Sequence, residues 1–183
     1  MFDPTAFDNM KVVIEGALYD LDLAGEIVIS DRNDIVNMAK MSRSFDVNFS
    51  LPEQMGDTVS AKIEIEASLI NLAAELLPKQ VSKNQNQNQA GCQVKLEFFH
   101  KGITKSDELE DIQNILLDIW GESRNIRQTI ITRPSLSLTT NVMTVEFDRL
   151  IGEDQMDDFV EMIDVMIMTI KKLQSYLIES GTI

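Results

Sequence analysis

Asp20 and Asp22 frame an Asp-Leu-Asp triplet. On an extended strand their carboxylates would share one face, the minimal start of a divalent-cation site. The spacing is a common one, and acids beside a hairpin turn are its ordinary reading. Asp154, Asp157, Asp158 and Glu161 make a second acidic group, but the dipole at a helix start already favours acids there. Cys92 is the single cysteine and His100 the single histidine. A cysteine nucleophile needs an activating base, and nothing in the sequence sets His100 beside Cys92. An ordinary thiol and a structural or surface histidine are expected. One histidine rules out a multi-histidine metal cluster or relay. The chain has no glycine-rich phosphate loop, Gly-x-Ser-x-Gly elbow, Cys-x-x-Cys pair or His-Glu-x-x-His. No cofactor is expected.

The one basic concentration is Arg124, Arg127 and Arg133, with Arg149 nearby. It suits an anionic ligand or, more simply, ion pairs with the acidic excess. That excess is large: 30 acids against 16 bases give a formal net charge of −14. Neutralising phosphates needs clustered Lys and Arg, so a nucleic-acid partner is not expected, and neither is an anionic membrane surface. A lone cysteine can form no intramolecular disulfide and points to a reducing compartment. The first residues lack the basic region and apolar run of a signal peptide. The longest apolar runs fall far short of the ~20 residues that span a bilayer. A cytoplasmic, soluble protein is expected.

The elements that would position these residues follow from periodicity. Lys11 to Tyr19 reads as a Val- and Ile-rich strand. A turn at Asp22–Gly25 leads into a second strand, Glu26 to Ser30. Asp34 is placed to cap a short helical segment holding Ile35, Met38 and Ala39. Phe45, Val47 and Phe49, then Val59, Ala61, Ile63, Ile65 and Ala67, alternate with polar residues as half-buried strands. Leu69 to Leu77 fits one or two helical turns. The tract Asn84 to Gln89, within residues 79–91, reads as a flexible loop inside one domain. Val94, Leu96 and Phe98 alternate again, and Lys62, Glu64 and Glu66 offer the charges of this strand cross-strand partners. Ser106 caps a helix running to Trp120; Ile126 to Arg133 and Leu136 to Arg149 are strands.

The longest periodic segment is the last, 153–180. Placed at about 100° per residue, Met156, Phe159, Val160, Met162, Ile163, Met166, Ile167, Ile170, Leu173, Leu177 and Ile178 fall in an arc about 160° wide. Asp154 is the expected cap and Gly181 the expected stop. Val165, Met168 and Tyr176 lie opposite the arc, with Lys172 among them. Three apolar residues on a charged face suit a protein interface.

The order helix, strand, strand, helix over about Thr104 to Ser180, together with the acidity, resembles the small type III secretion chaperones. That resemblance implies a homodimer that binds an extended segment of a protein client. The fold expected is α+β: one domain, a strand-rich N-terminal half, and a mostly antiparallel sheet covered by the two C-terminal helices. The function expected is non-catalytic protein binding, chaperone-like and homodimeric. The alternative is a carboxylate- and divalent-cation-dependent hydrolase or transferase.

Overall fold

A computed structural model describes residues 5–52, 59–76, 90–102, 106–136 and 138–180. The chain opens with a helix, α1 (Ala6–Leu23). The strands β1 (Val28–Asn37), β2 (Ser42–Ser50) and β3 (Val59–Ala67) follow, then α2 (Leu69–Leu76) and β4 (Gln93–Lys101). The second half is α3 (Ser106–Trp120), β5 (Asn125–Arg133), β6 (Leu138–Glu146) and α4 (Asp158–Glu179). All six strands pair antiparallel in one sheet, ordered β1-β2-β3-β4-β6-β5. The α+β class is as expected, and so is the helix-strand-strand-helix order of the second half.

Strand parity divides the sheet into two faces. Phe45, Val47 and Phe49 of β2, Ile63 and Ile65 of β3, Val94, Leu96 and Phe98 of β4, and Met143 and Val145 of β6 point into one core. Phe159, Ile163, Met166 and Ile170 of α4 and Ile112 and Leu116 of α3 fill the same core. The other face carries the alternate residues and is covered by no helix among the described residues.

Three sequence expectations change. Residues 11–19 are helical, not extended. Phe7, Met10, Ile14 and Leu18 are buried at helical spacing, so α1 joins α3 and α4 on the core face and the N-terminal half does not begin with strands. Thr5 caps α1: its hydroxyl accepts the Asp8 N–H at 3.3 Å and donates to the Asp8 carboxylate at 2.9 Å. At the far end Gly25 takes φ +74°, while the Glu26 and Gly25 amides reach back to the Leu21 and Asp22 carbonyls, a Schellman termination.

Residues 31–37 are not a capped helix. They continue β1, paired with β2 from Asp31↔Asn48 to Asn37↔Ser42 after an irregularity between Ile29 and Asp31. Lastly, α4 begins at Asp158, after a single 3-10 turn at Glu153–Gln155. Asp154 lies in that turn and caps nothing, while Val160 and Ile178 of the expected inward arc are exposed. Most of the 79–91 stretch and Gly181 lie outside the described residues. Gly91, its last residue, is buried at φ +137°, and a Cβ there would stand 2.7 Å from the Ile151 carbonyl oxygen. The Cys92↔Ile151 bridge beside it explains that close approach.

Candidate functional site: the edge strand β5 and the open face

The residues suited to chemistry are dispersed. Asp20 and Asp22 sit on α1, about 200° apart around the axis, so the strand geometry that would join them does not exist. The Asp22 carboxylate instead accepts the Ile29 N–H at 3.2 Å. Cys92 is fully buried, and burial, helped by the charge of Glu75, pushes its thiol up to about 12. His100 is also buried, in β4 with the inward parity that Cys92 begins just before the strand, but eight residues away, about 26 Å at ~3.3 Å per residue. The two cannot act as a dyad. Burial holds the His100 imidazole below its ordinary value, and the nearby Glu108 only partly offsets this. No group of three or more His, Cys, Asp or Glu stands ready for a metal among the described residues.

On α4, Met168 and Lys172 are exposed, as expected of an outward stripe, and Val165 is half-buried. Tyr176 is half-buried against the core, and its hydroxyl donates to the Asp111 carboxylate of α3 at 2.7 Å. That bond, with some burial, pushes the phenol up to about 12. Tyr176 therefore ties α4 to α3.

The helix-free face is unevenly built. Across β3 and β4, Lys62 meets Glu97 at 2.6 Å and Glu64 at 3.0 Å, while Lys95 meets Glu64 at 3.1 Å. These are the cross-strand pairs expected from the sequence for Lys62 and Glu64. Burial pushes the Glu64 carboxyl upward, but hydrogen bonds and charge from Lys62 and Lys95 outweigh it and hold the group low. Toward β6 and β5 the lattice thins to a single pair, Arg127 with Glu146 at 3.1 Å, and neutral residues follow, with Phe99 beside Val142 and Val142 beside Thr129.

The two sheet edges differ in kind. Strand β1 is irregular near Ile29 and carries Asp31, Arg32 and Asp34. Its helix-side charges are spoken for: Lys11 and Arg43 bind Asp34 at 2.6 and 3.3 Å, and Arg32 binds Glu15 at 2.5 Å. Charge and irregularity of this sort blunt an edge. Strand β5 has neither acid nor proline in its span, and its nine-residue register against β6 is unbroken from Asn125↔Glu146 to Arg133↔Leu138. Ile130 and Ile131, side by side at its centre, are each 44% exposed.

Sequence reading missed the residue that sets this edge. Gln128 occupies an inward position between Ile126 and Ile130. It accepts from the Asn141 amide at 2.9 Å and donates to the Leu109 carbonyl at 2.7 Å and the Gln113 side chain at 3.2 Å. One side chain thus fixes β5 to β6 and to α3. A polar residue on an apolar parity was the available signal.

No family model, no curated protein and no solved structure matches this chain. No helix among the described residues is long and apolar enough to cross a membrane.

Proposed function

We propose that this is a non-catalytic protein-binding domain that receives an extended segment of a partner along β5. The observation that carries the reading is the contrast in charge and register between the edges. Both expose apolar pairs, Ile35 and Val36 on β1 and Ile130 and Ile131 on β5, but β1 is blunted by charge and irregularity, while β5 keeps an unbroken register and is uncharged through its centre. An edge strand offers a row of backbone donors and acceptors, and an added strand satisfies them while its alternate side chains supply specificity. Gln128 keeps the edge in one register, so little ordering is left to the moment of binding. The two best candidates for nucleophile and base, Cys92 and His100, face the core and not the solvent, which favours binding over covalent chemistry.

The test compares two edge-blocked variants as bait in an extract of the source cells. Ile130→Lys/Ile131→Lys places charge on β5, and Ile35→Lys/Val36→Lys does the same on β1. Partners held by the wild type and the β1 variant but lost by the β5 variant are the expected result. Loss confined to the β1 variant would move the site to the other edge, and capture unaffected by either would end the reading.

A further inference from the structure

Residues 123–145 contain no Asp or Glu, although the chain carries 30 acids, and they contain three arginines. These arginines are the basic concentration noted in the sequence, for which pairing with the acidic excess was the simple reading. Only Arg127 follows that reading: it meets Glu146 at 3.1 Å with 57% of its side chain still exposed. Arg133 is exposed and makes no ion pair among the described residues. Arg124 lies over the Phe147 ring, 4.7 Å from its centroid, and likewise has no carboxylate among the described residues. The β5 edge is therefore locally cationic on a strongly anionic molecule.

Parity sharpens the point. Arg127 pairs with Thr144 in the sheet and Thr144 with Glu97, which puts Arg127 on the helix-free face. Arg133, six residues on, shares that face, about 20 Å away at ~3.3 Å per residue. The opposite face of β5 lies under α3, which meets it through Leu109 and Gln113, while Asp111 of that helix turns to Tyr176 of α4. An acid on the helix side of an added strand meets no arginine of β5, whereas an acid on the other side meets Arg127 and Arg133.

We propose that the segment added to β5 is acidic at both ends and apolar between. Its carboxylates stand six residues apart on the side away from the helices, and small apolar residues point to the α3 side beside Ile130. This inference rests on strand addition at β5, the function proposed above, and adds the chemistry of the partner. Charge complementarity also selects against a second copy of this chain. Antiparallel pairing of two β5 strands about Ile130 would set Arg127 of each directly against Arg133 of the other, and like charges directly opposite destabilise a strand pair. The net charge of −14 opposes self-association further.

The probe is a fluorescein-labelled peptide, Glu-Val-Thr-Val-Thr-Val-Glu, with its lysine-ended counterpart as control. Binding is read by anisotropy, and its place by amide exchange along β5. The acidic peptide should bind and slow exchange at Thr129–Thr132, and the lysine peptide should bind at least about ten-fold more weakly, as two lost ion pairs imply. Arg127→Glu/Arg133→Glu should reverse that order, with an unshifted melting temperature confirming the fold. Equal binding of both peptides with β5 protected would overturn the charge rule and leave strand addition standing. Binding of neither peptide, or binding without protection of β5, would overturn both. Concentration-dependent protection of β5 in the protein alone would assign the edge to a second copy and overturn the acidic partner.

Discussion

His100 shows how one buried side chain sets a pH response. It is 1% exposed on β4, and burial lowers its folded-state pKa despite the nearby Glu108 on α3. A base whose folded pKa is depressed binds more protons unfolded than folded once the pH drops below its ordinary value of about 6.5. Stability is therefore full above that value and declines as pH falls through it, by at most ~1.4 kcal/mol per pH unit for one group. Urea unfolding of the wild type between pH 7.5 and pH 5 should show this decline, no steeper than that limit. His100→Gln should flatten the profile whatever it does to stability at pH 7.5; an unchanged slope would assign the proton to another group. The carboxyls of Asp8 and Asp34 titrate separately and lower. Burial raises each, but hydrogen bonds to Asp8 from Thr5 and Arg43, and to Asp34 from Lys11 and Arg43, outweigh it. Their contribution is present above the ordinary carboxylate range and is lost only as pH falls below it.

Among the elements, those buried on one face were legible and those at the rim were not. β2, β3 and β4 announce themselves because each buries every second residue, and the inward face of α4 is readable for the corresponding helical reason. β1 shows no such pattern because most of it is exposed, so Ile35 and Met38 suggested helical spacing to a reading that assumes apolar means buried. The β-branched run Val12, Val13 and Ile14 reads as strand, whereas the burial of α1 is written at Phe7, Met10, Ile14 and Leu18. Gly16, which weakens a strand there, stands in the middle of that helix. It is exposed, and a Cβ there would meet nothing within 4 Å. Gly16→Ala should therefore stabilise the protein by about 0.5–1 kcal/mol, the usual cost of glycine in a helix interior. The measurement is the urea midpoint at constant slope; a loss of stability would mean that α1 is not helical there. The basic character of β5 was legible as composition, in the concentration of Arg124, Arg127 and Arg133. That β5 lies at an edge depends on β6 pairing with β4, a contact between segments far apart in the chain that local spacing does not encode.

For the whole molecule, strand order separates what is assembled locally from what is not. β1, β2, β3 and β4 each lie beside their sequence neighbour, and β5 and β6 form a hairpin of their own. The junction between these two parts is β4 against β6, where β6 must pass over α3 and β5 to reach its place. Such a contact closes the longest loop in the sheet before any pairing rewards it, and topology of this kind governs folding speed more than stability does. The docking of the β5–β6 hairpin on β4 should then be the late, slow step in refolding. Val145, fully buried opposite Leu96 at that junction, provides the probe. Val47→Ala, in the β1–β2–β3 meander that is complete before that step, should slow refolding in a denaturant chevron and leave unfolding nearly unchanged, whereas Val145→Ala, at the contact being made, should divide its effect between refolding and unfolding. An effect of Val47→Ala confined to unfolding, with Val145→Ala slowing refolding alone, would reverse the order of assembly. If the order holds, a ribosome releasing this chain has a four-stranded half-sheet whose β4 flank is bare until the last third of the sequence arrives, and during that interval the nascent chain needs shielding from its neighbours.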